Sequence, residues 1–224
     1  MFHLSPVQCI YCNNHCIKKG LYRQVQKFYC KQCKKYQRLK YTYRLTSKTD
    51  DHNIALLTKE CMSISSISRY LLMPKTTVCR RILRLSKSIH PPAVQETNQV
   101  YEVDEMYVLL SKKNAAQTYV SYALNKLSKI VIGFVIGGRR KEIIGKLITN
   151  LLALNPRKIY TDGLNIYPSL IPPIIHRCFR YKTNTIERNN LSIRNSLKRL
   201  SRKTICFSRS ALMLEACLKI LFWY

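Results

Sequence analysis

Two Cys-x-x-Cys pairs, Cys9-Ile-Tyr-Cys12 and Cys30-Lys-Gln-Cys33, stand 17 residues apart near the start of the chain and limit what that part can become. Residues 1–45 are rich in Cys, Lys, Tyr and Gln and poor in aliphatics. A segment so short and polar cannot build a core without a staple. Met1 to Pro6 has neither a charged start nor a long apolar run, so no signal peptide is read there, and the ten cysteines are expected in a reducing compartment. Paired cysteines then point to metal rather than to disulfides, and this spacing suits four thiolates around Zn2+ at ~2.3 Å. Cys9, Cys12, Cys30 and Cys33 are therefore the expected zinc ligands, with His15 and Cys16 as extra donors nearby. Lys18-Lys19-Gly20 and Tyr22-Arg23 between the pairs fit a hairpin with a basic tip. Cys61, Cys79, Cys178, Cys206 and Cys217 are scattered and expected to be small buried hydrophobes.

The charge balance narrows the partner. Thirty-nine Lys and Arg against eleven Asp and Glu leave a formal charge of +28, too large for solubility tuning. The surplus is 15 over residues 1–90, 4 over 91–176 and 9 over 177–224, so acids gather in the middle. Nucleic acid is the leading partner for such a surface. A membrane is the weaker alternative: the most apolar run, Ile130 to Gly138, is far short of the ~20 residues a spanning helix needs.

Apolar spacing predicts helices within 50–88. Ile64, Ile67 and Leu71 fall on one face of a first helix, Val78 and Ile82 on one face of a second, with Met73-Pro74 as the turn. This reads as a helix-turn-helix whose second helix would turn Lys75, Thr76, Thr77, Arg80 and Arg81 towards a DNA groove. Leu72 and Pro74 stand where Gly and a Ser cap are usual, and an ordinary helical hairpin is the alternative. His90-Pro91-Pro92 opens a linker over 89–99. From Val100 the pattern becomes strands at 100–110, 117–125 and 129–137, a helix at 141–154, a strand at 158–161, another at 174–181, a helix from about Thr185 and a last one over 210–223. Residues 100–224 are thus expected to form an α/β domain with a mixed sheet.

Three acids occupy positions suited to divalent cations. Asp104 lies in Tyr-Glu-Val-Asp-Glu-Met-Tyr, where strand alternation sends Val103 and Glu105 to the face opposite it. Asp162 ends a strand, at the carboxyl edge where α/β sheets hold ligands. Glu187 opens a helix in an otherwise basic segment. Phosphoryl transfer needs carboxylates converging on two cations ~3.5–4 Å apart, and these three form an ordered set for it. Glu102 and Glu105 are rival ligands near the first position.

The segments Ile186-Glu-Arg-Asn-Asn-Leu-Ser-Ile-Arg194 and Lys198-Arg-Leu-Ser-Arg-Lys-Thr-Ile-Cys-Phe-Ser-Arg-Ser210 resemble transposases of the insertion sequence one family. Glu102-Val-Asp-Glu105 and Thr161-Asp162, with Tyr167 five residues on, look like that family's two Asp motifs, and the cysteine pairs and helix-turn-helix match its amino-terminal half. Tyr107 stands where Trp often follows the first motif, and Gly163-Leu164 where an acid and Trp often follow the second. The resemblance implies a ribonuclease H-like catalytic domain of the DDE type, with Asp104, Asp162 and Glu187 as the DDE residues and Mg2+ (or Mn2+) as the catalytic ion. It implies a DNA transposase that binds element ends, cleaves and transfers strands, works on double-stranded DNA as a homodimer or larger assembly, and resides in the bacterial cytoplasm with the nucleoid. Arg188, Arg194, Lys198 and Arg202 would follow the DNA backbone, the last three lying within about 60° of Glu187 on one continuous helix. A non-enzymatic DNA-binding regulator and a nuclease without strand transfer are the competing readings.

Overall fold

The computed structural model describes residues 7–39, 48–93, 96–110, 117–178, 184–201 and 208–224. The chain divides into two compact units, Met1–Thr46 and Ser47–Tyr224.

In the first unit the strands β1 (Cys16–Tyr22), β2 (Val25–Cys30) and β3 (Tyr36–Arg38) form an antiparallel sheet in that order. The β1–β2 turn sets both central residues in the left-handed region, Arg23 at φ 51° and Gln24 at φ 63°. Two positive φ values match the right-handed twist of the flanking strands, which makes this a type I′ hairpin without its usual Asn-Gly. Cys9, Phe28, Cys30 and Gln37 are the buried residues of this unit among those described. So small an interior leaves the cysteines to do the stapling.

The second unit begins with three helices, α1 (Lys48–Lys59), α2 (Ile64–Tyr70) and α3 (Lys75–Leu85). Ser63 caps α2, its Oγ accepting from the Ser66 N–H at 3.0 Å. The α2–α3 turn places Leu72 at φ 52°, a backbone state that suits glycine, with its side chain 81% exposed. Ile67, Val78 and Ile82 are buried, as the spacing predicts. Arg81 departs from expectation. One turn from Val78 and next to Ile82, it faces inward, where its guanidinium meets Asp51 at 3.1 Å and Asp50 at 3.7 Å in the first turn of α1. It is withdrawn from the groove-facing set, whereas Lys75, Thr76 and Arg80 are exposed and Thr77 half-exposed.

A five-stranded sheet follows, built from β4 (Val100–Val108), β5 (Thr118–Asn125), β6 (Val131–Gly137), β7 (Lys158–Thr161) and β8 (His176–Cys178), in the order β6-β5-β4-β7-β8. The pairs β4–β5 and β5–β6 are antiparallel; β4–β7 and β7–β8 are parallel. This is the expected α/β arrangement with a mixed sheet. Helix α4 (Lys141–Leu152) covers one face, where Ile144, Ile148 and Leu151 meet Tyr101, Val103, Ala123 and Ile159. Helices α5 (Asn184–Ser196) and α6 (Ala211–Trp223) cover the other, where Ile186, Ile193, Leu214 and Leu218 meet Met106, Tyr122 and Leu124. Helix α6 is apolar nearly all round because it serves two cores: Ala216, Cys217 and Ile220 pack against Ile54, Ile67, Val78 and Ile82 of α1–α3.

Two further expectations change. The helix carrying Glu187 stops at Ser196, and Leu197, at ψ 90°, starts a separate 3-10 turn, Lys198–Leu200. Ile186, Ile193, Leu197 and Leu200 are buried together, but Lys198 does not continue the Glu187 wheel, and Arg202 lies outside the described residues. Among the scattered cysteines, Cys217 is buried and Cys61 and Cys79 half-buried, but Cys178 is exposed; Cys206 lies outside the described residues.

The inward Arg81 has a measurable consequence. Removing one partner of a buried ion pair strands the other charge; with Asp50 and Asp51 retaining 30% and 22% exposure, Arg81→Ala is expected to cost about 2–3 kcal/mol in urea unfolding. Arg80→Ala should cost less than about 0.5 kcal/mol, as exposed positions do. Equal stability of the two variants would contradict the inward placement.

Candidate metal centres

The two cysteine pairs form matching knuckles. The Cys9 N–H donates to the Asn14 carbonyl at 2.8 Å, and the Cys30 N–H donates to the Lys35 carbonyl at 3.0 Å, the same offset in each. The residue after each second cysteine is left-handed, Asn13 at φ 55° and Lys34 at φ 57°. Gln37 on β3 clamps the first knuckle: its Oε1 accepts from the Ile10 N–H at 2.8 Å and its Nε2 donates to the Gln8 carbonyl at 2.7 Å. The four sulfurs all lie within 4.8 Å of one another, with Cys9–Cys33 and Cys12–Cys30 each at 3.5 Å. A tetrahedron with ~2.3 Å Zn–S bonds has sulfurs ~3.8 Å apart, so the donor set fits a zinc ion. The N–H groups around Asn14 pull the Cys12 thiol down to about 6, while desolvation pushes Cys33 up to about 12. Cys16, half-buried at the start of β1, is outside the four-sulfur group.

The second cluster sits where the parallel half of the sheet meets α5. Asp104, at the middle of β4, is half-buried; its Oδ1 accepts from the Glu105 N–H at 2.8 Å and its Oδ2 from Asn190 Nδ2 at 2.6 Å. Asp162 follows β7 directly, and its Oδ1 accepts from the Leu164 N–H at 3.1 Å, a turn that fixes the carboxylate at the strand's end. Carboxylate oxygens of Asp104, Glu105 and Asp162 all lie within 4.8 Å of one another. Glu105 thus joins the cluster despite leaving β4 on the opposite face. Its longer side chain brings the carboxylate near those of Asp104 and Asp162, held by the Tyr167 hydroxyl, which donates to Oε1, and by Arg139, whose Nε is 3.4 Å from Oε2.

Glu187 is on the exposed side of the first turn of α5 and is not in the three-acid group. It is one turn before Asn190, near enough that its charge adds to the upward shift of Asp104. That shift comes first from burial, with the neighbouring Asp162 also contributing. Burial raises Glu105 to about 7, and the negative charges of Asp162 and Asp104 add to it. Tyr122 supports Asn190: its hydroxyl donates to Asn190 Oδ1 at 2.8 Å and accepts from Asn189 Nδ2 at 3.2 Å.

Glu102, the other rival, has a different place. Fully buried, it takes the Ile186 N–H on Oε2 at 2.8 Å and the Lys126 ammonium on Oε1 at 2.8 Å, so it holds the first turn of α5. His176 is tied to Thr161 at 2.8 Å, beside Asp162, and burial lowers its pKa. Arg188 is exposed and Arg194 half-buried on α5. The sequence left Asn190, Tyr122 and Arg139 unmarked; the signal for Asn190 was its position one turn beyond Glu187.

Residues 99–221 match the family model of the IS1 transposase. The InsB protein of the insertion element iso-IS1n from Shigella dysenteriae is 36% identical over 111 residues, 50% of this chain and 84% of that protein. The InsB protein of insertion element IS1 2 from Escherichia coli (strain K12) is 34% identical over 109 residues, 49% of this chain and 65% of that protein. Among solved structures, a chain of a simian T-cell lymphotropic virus intasome in complex with PP2A regulatory subunit B56 gamma aligns at 13% identity and a TM-score of 0.38, over 73% of this chain and 66% of that one. The α/β sheet with its clustered carboxylates lies within the matched residues, and the match is specific: this chain belongs to the IS1 transposase family.

Glu105 gives this centre a pH signature. A carboxyl whose folded pKa is raised stabilises the fold fully below its unfolded value, near 4.5, and that contribution is lost as pH rises through about 7. Glu105→Gln keeps an oxygen for Tyr167 and carries no charge. Without added divalent cations it should therefore melt above the wild type at pH 8 and level with it at pH 4.5. A lower melting temperature at pH 8 would contradict the crowding of charge described here.

Proposed function

We propose that the chain cleaves and joins DNA strands at the acid cluster, with Asp104, Asp162 and Glu187 as the principal ligands of Mg2+ or Mn2+ and Glu105 as a further carboxylate beside Asp104 and Asp162. The observation that carries this reading is the gathering of the Asp104, Glu105 and Asp162 carboxylates within 4.8 Å, with Glu187 outside that group but one turn before Asn190, which donates to Asp104. In a chain of charge +28, acids would otherwise spread out to pair with the surplus cations. The strand order, three antiparallel strands extended by two parallel ones, supports a ribonuclease H-like sheet. When bound, two divalent cations activate the attacking oxygen and stabilise the leaving one.

The protein's own part is positioning. The Glu105 N–H and Asn190 fix both oxygens of Asp104, and the Leu164 N–H fixes one of Asp162, so little reorganisation is left for the reaction. Glu102 anchors the helix bearing Glu187 to the strand bearing Asp104. The reaction we assign is phosphodiester hydrolysis by water at the element ends, then attack of the freed 3′ hydroxyl on target DNA. Lys75, Thr76, Thr77 and Arg80 on α3 would contact double-stranded DNA, and Arg188, Arg194 and Lys198 the backbone near the acids. Joining two ends calls for a homodimer or larger assembly. Zn2+ on Cys9, Cys12, Cys30 and Cys33 is structural. No helix among the described residues is long and apolar enough to cross a membrane. A regulator without enzymatic activity leaves the acid cluster with no role.

With Mg2+ and end-sequence DNA, Asp104→Asn, Asp162→Asn and Glu187→Gln should each lower cleavage at least ~100-fold while DNA affinity changes less than about 2-fold. Full cleavage in any variant removes that residue from the ligand set, and cleaved but never joined products would indicate a nuclease instead. Cys12→Ser should release about one equivalent of zinc and lower the thermal stability of the first unit, because so small a fold depends on its metal. Absence of zinc from the wild type would end that assignment.

A further inference from the structure

Residues 1–46 hold ten Lys and Arg and no Asp or Glu. The cations of this unit therefore have no carboxylate partners within it, and several of those described lie over tyrosine rings. Lys27 Nζ lies 4.4 Å from the Tyr36 ring centroid, Arg38 Cζ 5.0 Å from that of Tyr22, and Lys35 Nζ 4.3 Å from that of Tyr11. Three of these residues share one face of the sheet with Tyr22. Phe28 and Gln37 point inward as cross-strand partners, so the alternate pairs, Lys27 with Arg38 and Tyr29 with Tyr36, point outward, as does Tyr22 opposite Val25. Tyr29 and Tyr36 rings lie 4.8 Å apart, and Tyr22 and Tyr36 are 47% and 49% exposed. Between them is a shallow cavity of about 250 Å3 lined by Tyr22, Lys27, Tyr36, Gln37 and Arg38.

We propose that this face binds single-stranded DNA, seating one unstacked base between Tyr22 and Tyr36 with its flanking phosphates on Lys27 and Arg38. An acid-free cationic surface selects a polyanion. Exposed rings between the cations add what a duplex cannot use, because its bases are already stacked, and any base offers a face for stacking. That the strand is DNA rests on the transposase reading; the platform itself rests on the geometry of the first unit and does not involve the acid cluster.

The test is fluorescence anisotropy with the full zinc-loaded chain and no Mg2+, using three labelled probes of equal length: an oligothymidylate of about 20 nucleotides, the same backbone without bases, and a duplex. Wild type should bind oligothymidylate more tightly than the abasic strand. Tyr22→Ala and Tyr36→Ala should each weaken oligothymidylate binding by roughly 5- to 100-fold, the range for one stacked base, and leave the abasic strand and duplex within about 2-fold. Tyr22→Phe and Tyr36→Phe should bind as wild type, and zinc content should stay at one equivalent in all four. Equal losses on all three probes, or no loss on oligothymidylate, would overturn the base seat. Abolished cleavage in Asp104→Asn with unchanged oligothymidylate binding would leave this proposal standing, so its failure and that of the catalytic reading are separable.

Discussion

Two side-chain bonds from β4 to α5 organise the second unit. Glu102 takes the Ile186 N–H, and Asp104 takes Asn190 Nδ2. They leave the same face of the strand two residues apart, so they meet successive turns of one helix. A helix's first N–H groups have no partner within it, and a buried carboxylate there both satisfies a donor and complements the dipole. Glu102 would be costly to bury alone; the Lys126 ammonium at 2.8 Å offsets its charge. The strand that presents the first acid thereby fixes the helix that presents the last.

The same accounting applies to three other acids of this basic chain. Asp50 and Asp51 neutralise buried Arg81, with Arg84 completing the group at 2.6 Å from Asp51. Glu215 pairs with Lys219 one turn on along α6 at 3.0 Å. Glu102 caps a helix. In the first unit, which has no carboxylate of its own, Lys27 lies over the Tyr36 ring and Arg38 over the Tyr22 ring. Asp104, Glu105 and Asp162 stand apart because they face one another instead of a cation, with Arg139 beside only one of them.

Much of this was legible in the residues. Alternation and apolar spacing located the strands and helices because each element buries one face, and the cysteine spacing located the first cluster because two knuckles must converge. Three things were not legible, each for a physical reason. Arg81 looked like a groove contact because a helical wheel records direction and not what lies there; the carboxylates waiting in α1 are about 30 residues away in sequence. The wheel through Lys198 assumed an unbroken helix, but Leu197 leaves the helical region and is still buried with Leu200. Glu105 was assigned to the far face by strand period, which fixes where Cβ points and not how far a long side chain can reach. Tyr167 and Arg139, which draw its carboxylate to the cluster, come from other elements.

The acid cluster persists because its support is distributed. Three carboxylates within 4.8 Å repel one another, and burial weakens the water that would screen them. Against this stand donors from four places: the β4 backbone at Glu105, the turn after β7 at Leu164, the buried Tyr167 hydroxyl and Asn190 on α5. Two of them are anchored in different cores, Tyr167 among Ile144, Ile148 and Ile171, and Asn190 between buried Ile186 and Ile193. Burial first, and then the neighbouring negative charges, keep the proton affinities of Asp104 and Glu105 raised despite these donors. Rigid, oriented oxygens with unneutralised charge are what a hard divalent cation requires. The hydrophobic cores on both faces of the sheet therefore do more than fold the chain: they keep the acids in place against their own repulsion.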